Sequence, residues 1–195
     1  MVEVEVIEDP GAAAVALDPL RARLLAELTQ PGSAAALAER MGLPRQKLNY
    51  HLRSLEVHGL VEVADERRWG GLTERVLQAS AASYVVSPAT LGAAASDPER
   101  TPDRLSARYL IALAARVVKE VGTLVRWAAA TNKRLATLSL DTEIRFRSAS
   151  ERTAFAHELT EAVTGLAARY HDDSAPRGRP YRLVVLAHPI PKEDR

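Results

Sequence analysis

The residues best suited to chemistry lie between positions 44 and 53. Arg45, Gln46, Lys47, Asn49, Tyr50 and Arg53 crowd this stretch, which holds three cations and no acid. Arg, Gln and Asn carry forked donors and acceptors that match base edges in the major groove of a duplex. Arg, Lys and Tyr also suit phosphate oxygens. Leu48, Leu52 and Leu55 run through the same stretch at spacings of four and three, one helical stripe. A helix here has an apolar face to anchor it and a cationic face left over. The plainer reading of that face is ordinary solvation, so its surroundings must decide.

Those surroundings read as a positioning frame. Leu37 and Met41, four apart, give the inward face of a preceding helix that starts after Ser33. Gly42 offers a turn residue for which a positive φ is cheap. Pro44 fits the first turn of the next helix, where a missing N–H does no harm. Beyond it, Val61 and Val63 alternate with Glu62, residues 65–71 form a loop with glycines at its tip, and residues 72–78 return. This predicts a winged helix-turn-helix. Arg67 and Arg68 near the wing tip are placed to enter a minor groove, where narrow, negative geometry favours Arg. A mobile charged loop is the alternative for these two.

The region resembles the ArsR superfamily of bacterial winged-helix regulators. The resemblance is carried by Ala16-Leu17-Asp18-Pro19-Leu20-Arg21 and by Leu37-Ala38-Glu39-Arg40-Met41-Gly42. Its most specific part is the run from Leu48 to Val61, with His51-Leu52, Leu55 and Gly59-Leu60-Val61 at the family's spacing. It covers about half the chain and leaves residues 139–195 unmatched. The resemblance implies a homodimer that binds a near-palindromic operator and usually represses. The family's metal sensors use cysteine pairs on the recognition helix or His and carboxylate sets on the dimer helix.

Composition sets limits on this. The first 90 residues hold nine Lys or Arg against twelve Asp or Glu, and the remainder seventeen against thirteen. Any case for nucleic acid rests on local rather than bulk charge. The chain has no cysteine, so no disulfide and no thiolate metal site. That, with an acidic N-terminus unlike a signal peptide, fits a cytoplasmic location. No apolar run suits a membrane span. His157, His171, His188, Asp172 and Asp173 are the only loose metal-ligand set, without tight spacing on one helix, so neither metal nor cofactor is expected. No Gly-rich phosphate loop, nucleophile elbow or paired-His motif appears, so no enzyme is expected.

The rest of the chain supplies the scaffold. Val2, Val4 and Val6 alternate with glutamates as a short strand. Asp9-Pro10 starts a helix through Ala16, and Asp18-Pro19 reads as a fresh start rather than a kink. Leu17, Leu20, Leu24 and Leu28 follow as a stripe. The Gly, Ala, Ser and Pro richness of residues 91–102 predicts a boundary between domains at 9–90 and 103–195. Residues 103–132 read as the longest helix. Its stripe of Leu110, Leu113, Val117, Val121 and Leu124 suits a dimer seam, or packing on its own C-terminal segment.

A small strand-helix-strand module is expected after it. Residues 140–147 alternate apolar and charged, Ser148 to Glu151 is a capping box, Phe155 to Tyr170 carries a helical stripe, and residues 181–188 read as a central strand. Trp127, Tyr109, Phe146 and Tyr181 would wall a site for a small organic effector. The predicted class is α+β: a winged helix-turn-helix, a long dimerisation helix and an α/β module. The expected function is a DNA-binding regulator, a repressor released by such an effector. A winged-helix module for protein–protein contact is the alternative.

Overall fold

The computed structural model describes residues 1–69 and 72–191, the side chains of Trp69 and Leu72 excepted. The chain divides into two compact units, Met1–Leu135 and Ala136–Arg195.

The first unit opens with two short helices that each begin on an Asp-Pro pair, α1 (Pro10–Ala16) and α2 (Pro19–Glu27). Asp9 accepts the Ala12 N–H at 2.7 Å, and Asp18 accepts those of Leu20 and Arg21 at 3.0 Å each. The side chain satisfies an orphan donor, and proline in the first turn has none to lose. Asp18-Pro19 is thus the fresh start that its residues predicted. Leu17 falls between the two helices and is exposed, so it leaves the stripe, while Leu24 and Leu28 are fully buried.

α3 (Ala34–Met41) starts on Ser33, whose hydroxyl accepts the Ala36 N–H at 3.2 Å. It ends at Gly42 with φ of 66°, and Leu43 donates back to the Ala38 carbonyl at 3.2 Å. That pairing closes the turn in a conformation costly for any residue with a Cβ. α4 (Arg45–Val57) follows at once. Leu24, Leu28, Leu37, Leu48, Leu52, Leu55 and Leu60 are all buried and form one core beneath these helices.

β2 (Gly32–Ser33), β3 (Val61–Trp69) and β4 (Leu72–Ala79) form an antiparallel sheet in the order β2-β4-β3. The wing strands run further than the sequence predicted. Residues 65–69, expected in a loop, pair with β4: Asp65 with Val76, Arg67 with Glu74, Arg68 with Thr73. The ladder slips between Val63 and Asp65. In β3 the residues beyond that slip are exposed as far as Arg68, so no apolar alternation marked them as strand. The expected glycine tip at Gly70 and Gly71 lies outside the described residues.

β1 (Val2–Ile7) pairs in parallel with β5 (Ala81–Val86), from Val2 opposite Ala81 to Ile7 opposite Val86. Tyr84 secures the start of β5. Its hydroxyl donates to the Leu60 carbonyl at 2.8 Å and accepts the Ala81 N–H at 3.1 Å. Burial pushes that phenol above its usual pKa.

α5 (Ala107–Thr131) belongs to this first unit. It packs on β1 so closely that a Cβ at Gly122 would lie 2.5 Å from the Val6 Cβ. Arg126 donates to the Val6 carbonyl at 2.9 Å and pairs with Glu8 at 2.8 Å. Arg116 pairs with Glu99 at 3.1 Å. The expected boundary at 91–102 is therefore corrected: the division falls after Leu135. The Gly- and Pro-rich stretch forms two 3-10 turns, Pro88–Ala94 and Pro98–Arg100, of which the second is held to α5 by that pair.

In the second unit, α6 (Ala149–Tyr170) forms where its capping box predicted. Ser148 accepts the Glu151 N–H at 3.1 Å, and Glu151 reaches back to the Arg147 N–H at 2.6 Å and to its guanidinium. Phe155, Leu159 and Val163 are half-buried, whereas Leu166 and Tyr170 are exposed. The two expected strands are corrected. Among the described residues segments 140–147 and 181–188 form no ladder, and no backbone–backbone hydrogen bond reaches either. Side-chain alternation sets the faces of a strand, but only a partner edge makes one. No described residue of this unit is buried.

Candidate nucleic-acid interface

α4 is held by its inner face. Leu48, Leu52 and Leu55 are buried, and this leaves Arg45, Gln46, Lys47, Asn49, Tyr50 and Arg53 all exposed on the outer one. Pro44 caps the helix without a side-chain hydrogen bond, so the first-turn N–H groups stay open to a ligand. A groove of about 500 Å³ lies between α4 and β4. Arg45, Asn49, Tyr50 and Arg53 line it from the helix, and Thr73 and Arg75 from the wing. Gln46 and Lys47 lie outside the groove, on the same helix.

The cations of α4 differ from several arginines of the chain. Arg40, Arg75, Arg116, Arg126 and Arg147 each sit within ion-pair distance of a carboxylate. Among the described residues Arg45, Lys47 and Arg53 have none within 4.0 Å. An unpaired surface cation meets a phosphate without first breaking a salt bridge. On the wing, Arg67 shares its charge with Asp65 at 3.5 Å and faces Glu74 across the ladder. Arg68 faces Thr73, and among the described residues has no ion pair.

One feature of the site escaped sequence reasoning. Glu56, at the far end of α4, clasps Arg75 of β4 through both carboxylate oxygens, one of them at 3.1 Å. This bidentate bond ties the wing to the recognition helix. The guanidinium holds the Glu56 carboxyl below its usual range, and the same bond raises the Arg75 pKa. The two residues stand nineteen apart, so spacing gave no signal.

The two histidines of the family-like run have other uses. His58 Nδ1 meets the Ser54 carbonyl at 2.9 Å at the end of α4, where it caps the helix. His51 is half-buried, with its ring edge-on to Tyr50 at 5.3 Å between centroids. Asp18 carries a lowered pKa, first through the Arg21 N–H and to a lesser degree through the nearby His51.

The expected effector wall is divided between the units. In the first, Trp127 lies under the Lys133 ammonium at 5.4 Å, and Tyr109 lines a cavity of about 400 Å³ with Glu99, Arg104 and Arg116. In the second, Phe146 packs on Phe155 at 5.3 Å, and Tyr181 is exposed. The loose metal-ligand set is dispersed: His157 pairs with Glu161 at 3.6 Å, His171 with Asp173 at 3.2 Å, and His188 Nδ1 contacts the Pro189 carbonyl. Among the described residues no three such side chains converge on one metal position. None of their helices is long and apolar enough to cross a membrane. On the α5 stripe, Leu110, Leu113 and Val117 are half-buried, and Val121 and Leu124 are exposed.

The chain contains a helix-turn-helix domain. Residues 16–64 match the family model described as a helix-turn-helix domain, a span that runs from the end of α1 to the first half of β3 and includes every residue of the α4 face. Among curated proteins none matches the chain.

Proposed function

We propose that this protein is a DNA-binding transcription regulator of the ArsR-like winged-helix kind, acting as a homodimer on a palindromic operator and repressing from it. The observation that carries the reading is the outer face of α4. Three cations that form no salt bridge among the described residues and three polar readers stand exposed on a helix whose inner face is locked into the core. In the proposed docking α4 lies in the major groove. Gln46 and Asn49 reach base edges, and Lys47 and Arg53 reach phosphates. Arg68 follows the backbone from the wing, with Arg67 beside it.

A single helix offers few base contacts, and two coupled copies raise affinity by about 10²–10⁴. The exposed part of the α5 stripe, Val121 and Leu124, is the proposed seam, with Leu110, Leu113 and Val117 supporting it. A small organic molecule is the proposed effector, since the chain has no cysteine for thiolate sensing. On this reading the protein is not an enzyme. The test is selection of duplex fragments by the full chain, followed by titration with salt. A steep salt slope with a preferred sequence supports the reading.

One observation favours a second reading, a protein–protein interaction module. Glu56 and Glu74 both line the groove beside α4, and the first 90 residues carry more acid than base. A partner with a basic segment would suit that side. Shallow salt dependence and equal affinity for every duplex would favour it.

A further inference from the structure

We infer that residues 140–147 form an antiparallel ribbon with the same residues of a second copy of this chain, centred on Ile144. The segment carries a strand pattern without a strand partner. Thr142, Ile144 and Phe146 alternate with Asp141, Glu143, Arg145 and Arg147, and no ladder forms among the described residues. Leu140 is 89 % exposed and Ile144 50 %. An extended, half-apolar edge of this kind is a template for pairing.

The charges choose the occupant and the register. Both acids precede both bases. When two copies run antiparallel about a two-fold axis at Ile144, Glu143 faces Arg145 of the partner subunit, and Asp141 faces Arg147 of the partner subunit. The symmetry repeats both pairs. Opposite charges directly across a ladder stabilise it and like charges destabilise it. Moving the axis to residue 143 sets Glu143 against itself, and moving it to 145 sets Arg145 against itself. An axis at 142 or 146 sets acid against acid or base against base. A parallel in-register pairing repels at every charged position. Among these arrangements only the one centred on Ile144 pairs both acids with both bases. Among the described residues Asp141, Glu143 and Arg145 make no ion pair, while Arg147 also serves Glu151.

The other face of the ribbon has a surface waiting for it. Two strands alone are marginal in water and need a helix or further strands beneath them. Phe146 already packs on Phe155 at 5.3 Å, and Leu159 and Val163 continue that stripe along α6. The even-numbered residues of both copies would rest on two such stripes, which gives this unit the buried centre it lacks alone.

The inference shares with the proposed function only the need for two copies, and it uses none of the residues of α5. The test uses the full chain, which has no native cysteine. At the axis the two copies of residue 144 face each other at a spacing that a disulfide accepts. Residue 142 faces 146, so two copies of 142 stand about 13 Å apart. Under mild oxidation Ile144→Cys is expected to give a covalent dimer of doubled mass, and Thr142→Cys to stay at single-chain mass. On the Ile144→Cys background, one chain carries Asp141→Arg with Glu143→Arg, and another carries Arg145→Glu with Arg147→Glu. Each alone is expected to lose the cross-link, and an equimolar mixture to regain it as the mixed dimer. The regain also shows that both variants fold. Equal cross-linking at 142 and 144, no cross-link at 144, or indifference to charge reversal overturns the ribbon. A gel-shift on the same samples separates the two ideas: DNA binding without the cross-link removes the ribbon alone, and a cross-link without DNA binding removes the regulator reading alone.

Discussion

At the scale of single residues, exposure and pairing distinguish the side chains of α4 more sharply than residue type does. Replacing Gln46 or Asn49 with Ala is expected to cost about 1–3 kcal/mol on the preferred duplex and to relax choice at one base position. Replacing Lys47 or Arg53 is expected to weaken all duplexes alike and to flatten the salt slope by about one. Equal losses on preferred and random duplexes for all four variants would remove that division of labour. Gly122 shows a different constraint. In most helices Gly→Ala gains stability. Here the new methyl would meet all three heavy atoms of the Val6 side chain beyond Cα within 2.9 Å. A β-branched side chain has little freedom to withdraw. Gly122→Ala is therefore expected to destabilise the first unit by about 1–3 kcal/mol, the usual range for overpacking. Thermal unfolding measures it, and a raised Tm would contradict the close α5–β1 contact.

At the scale of elements, the Glu56–Arg75 clasp fixes the wing against the recognition helix. Because the folded Glu56 pKa is lowered, its stabilisation is present above the unfolded carboxylate range and is lost as pH falls through the folded value. The pair is partly exposed, so its worth is about 0.2–1 kcal/mol. Protection factors of the β4 amides, taken relative to intrinsic exchange at each pH, are expected to fall in wild type on acidification, and to be already low in Glu56→Gln at neutral pH. Identical exchange in the two proteins at neutral pH would show that the clasp does not hold the wing. Most helix starts were legible in the sequence because a cap is local: Asp9, Asp18, Ser33 and Ser148 each bond an N–H two or three residues ahead. The α4 face was legible because Leu48, Leu52 and Leu55 fix which side is buried. The clasp and the α5–β1 contact were not, since each joins residues far apart in the chain, and the long wing strands were not, since residues 65–68 are exposed and carry no apolar alternation. The segments 140–147 and 181–188 show the converse, a clear local pattern with no strand partner among the described residues to complete it.

At the scale of the whole molecule, the division after Leu135 changes what a truncation should do. A cut within 92–101 would strip α5 from β1 and leave Val6 and Glu8 without their partners. A fragment of residues 1–135 is expected to fold with the same cooperative transition that the first unit shows in the full chain. The shorter fragment of residues 1–96 is expected to melt several degrees lower; an unchanged Tm would show that α5 contributes nothing to this unit. On assembly, Val121→Glu with Leu124→Glu places carboxylates on the exposed part of the α5 stripe. If that stripe is the seam, light scattering on the 1–135 fragment should fall from doubled to single-chain mass, since a buried unpaired carboxylate costs several kcal/mol. A fragment that is monomeric before the substitution would move pairing out of α5.

The central claim is that the outer face of α4 holds duplex DNA through cations that, among the described residues, form no salt bridge. It is tested most directly by the salt slope of binding for the full chain and for Lys47→Ala with Arg53→Ala, measured on one selected duplex. The account predicts a steep slope for the wild type and a slope flatter by about two for the double variant, because each substitution leaves one phosphate with its counterion still in place. Equal slopes for the two proteins, or a wild-type affinity that salt does not change, would contradict it.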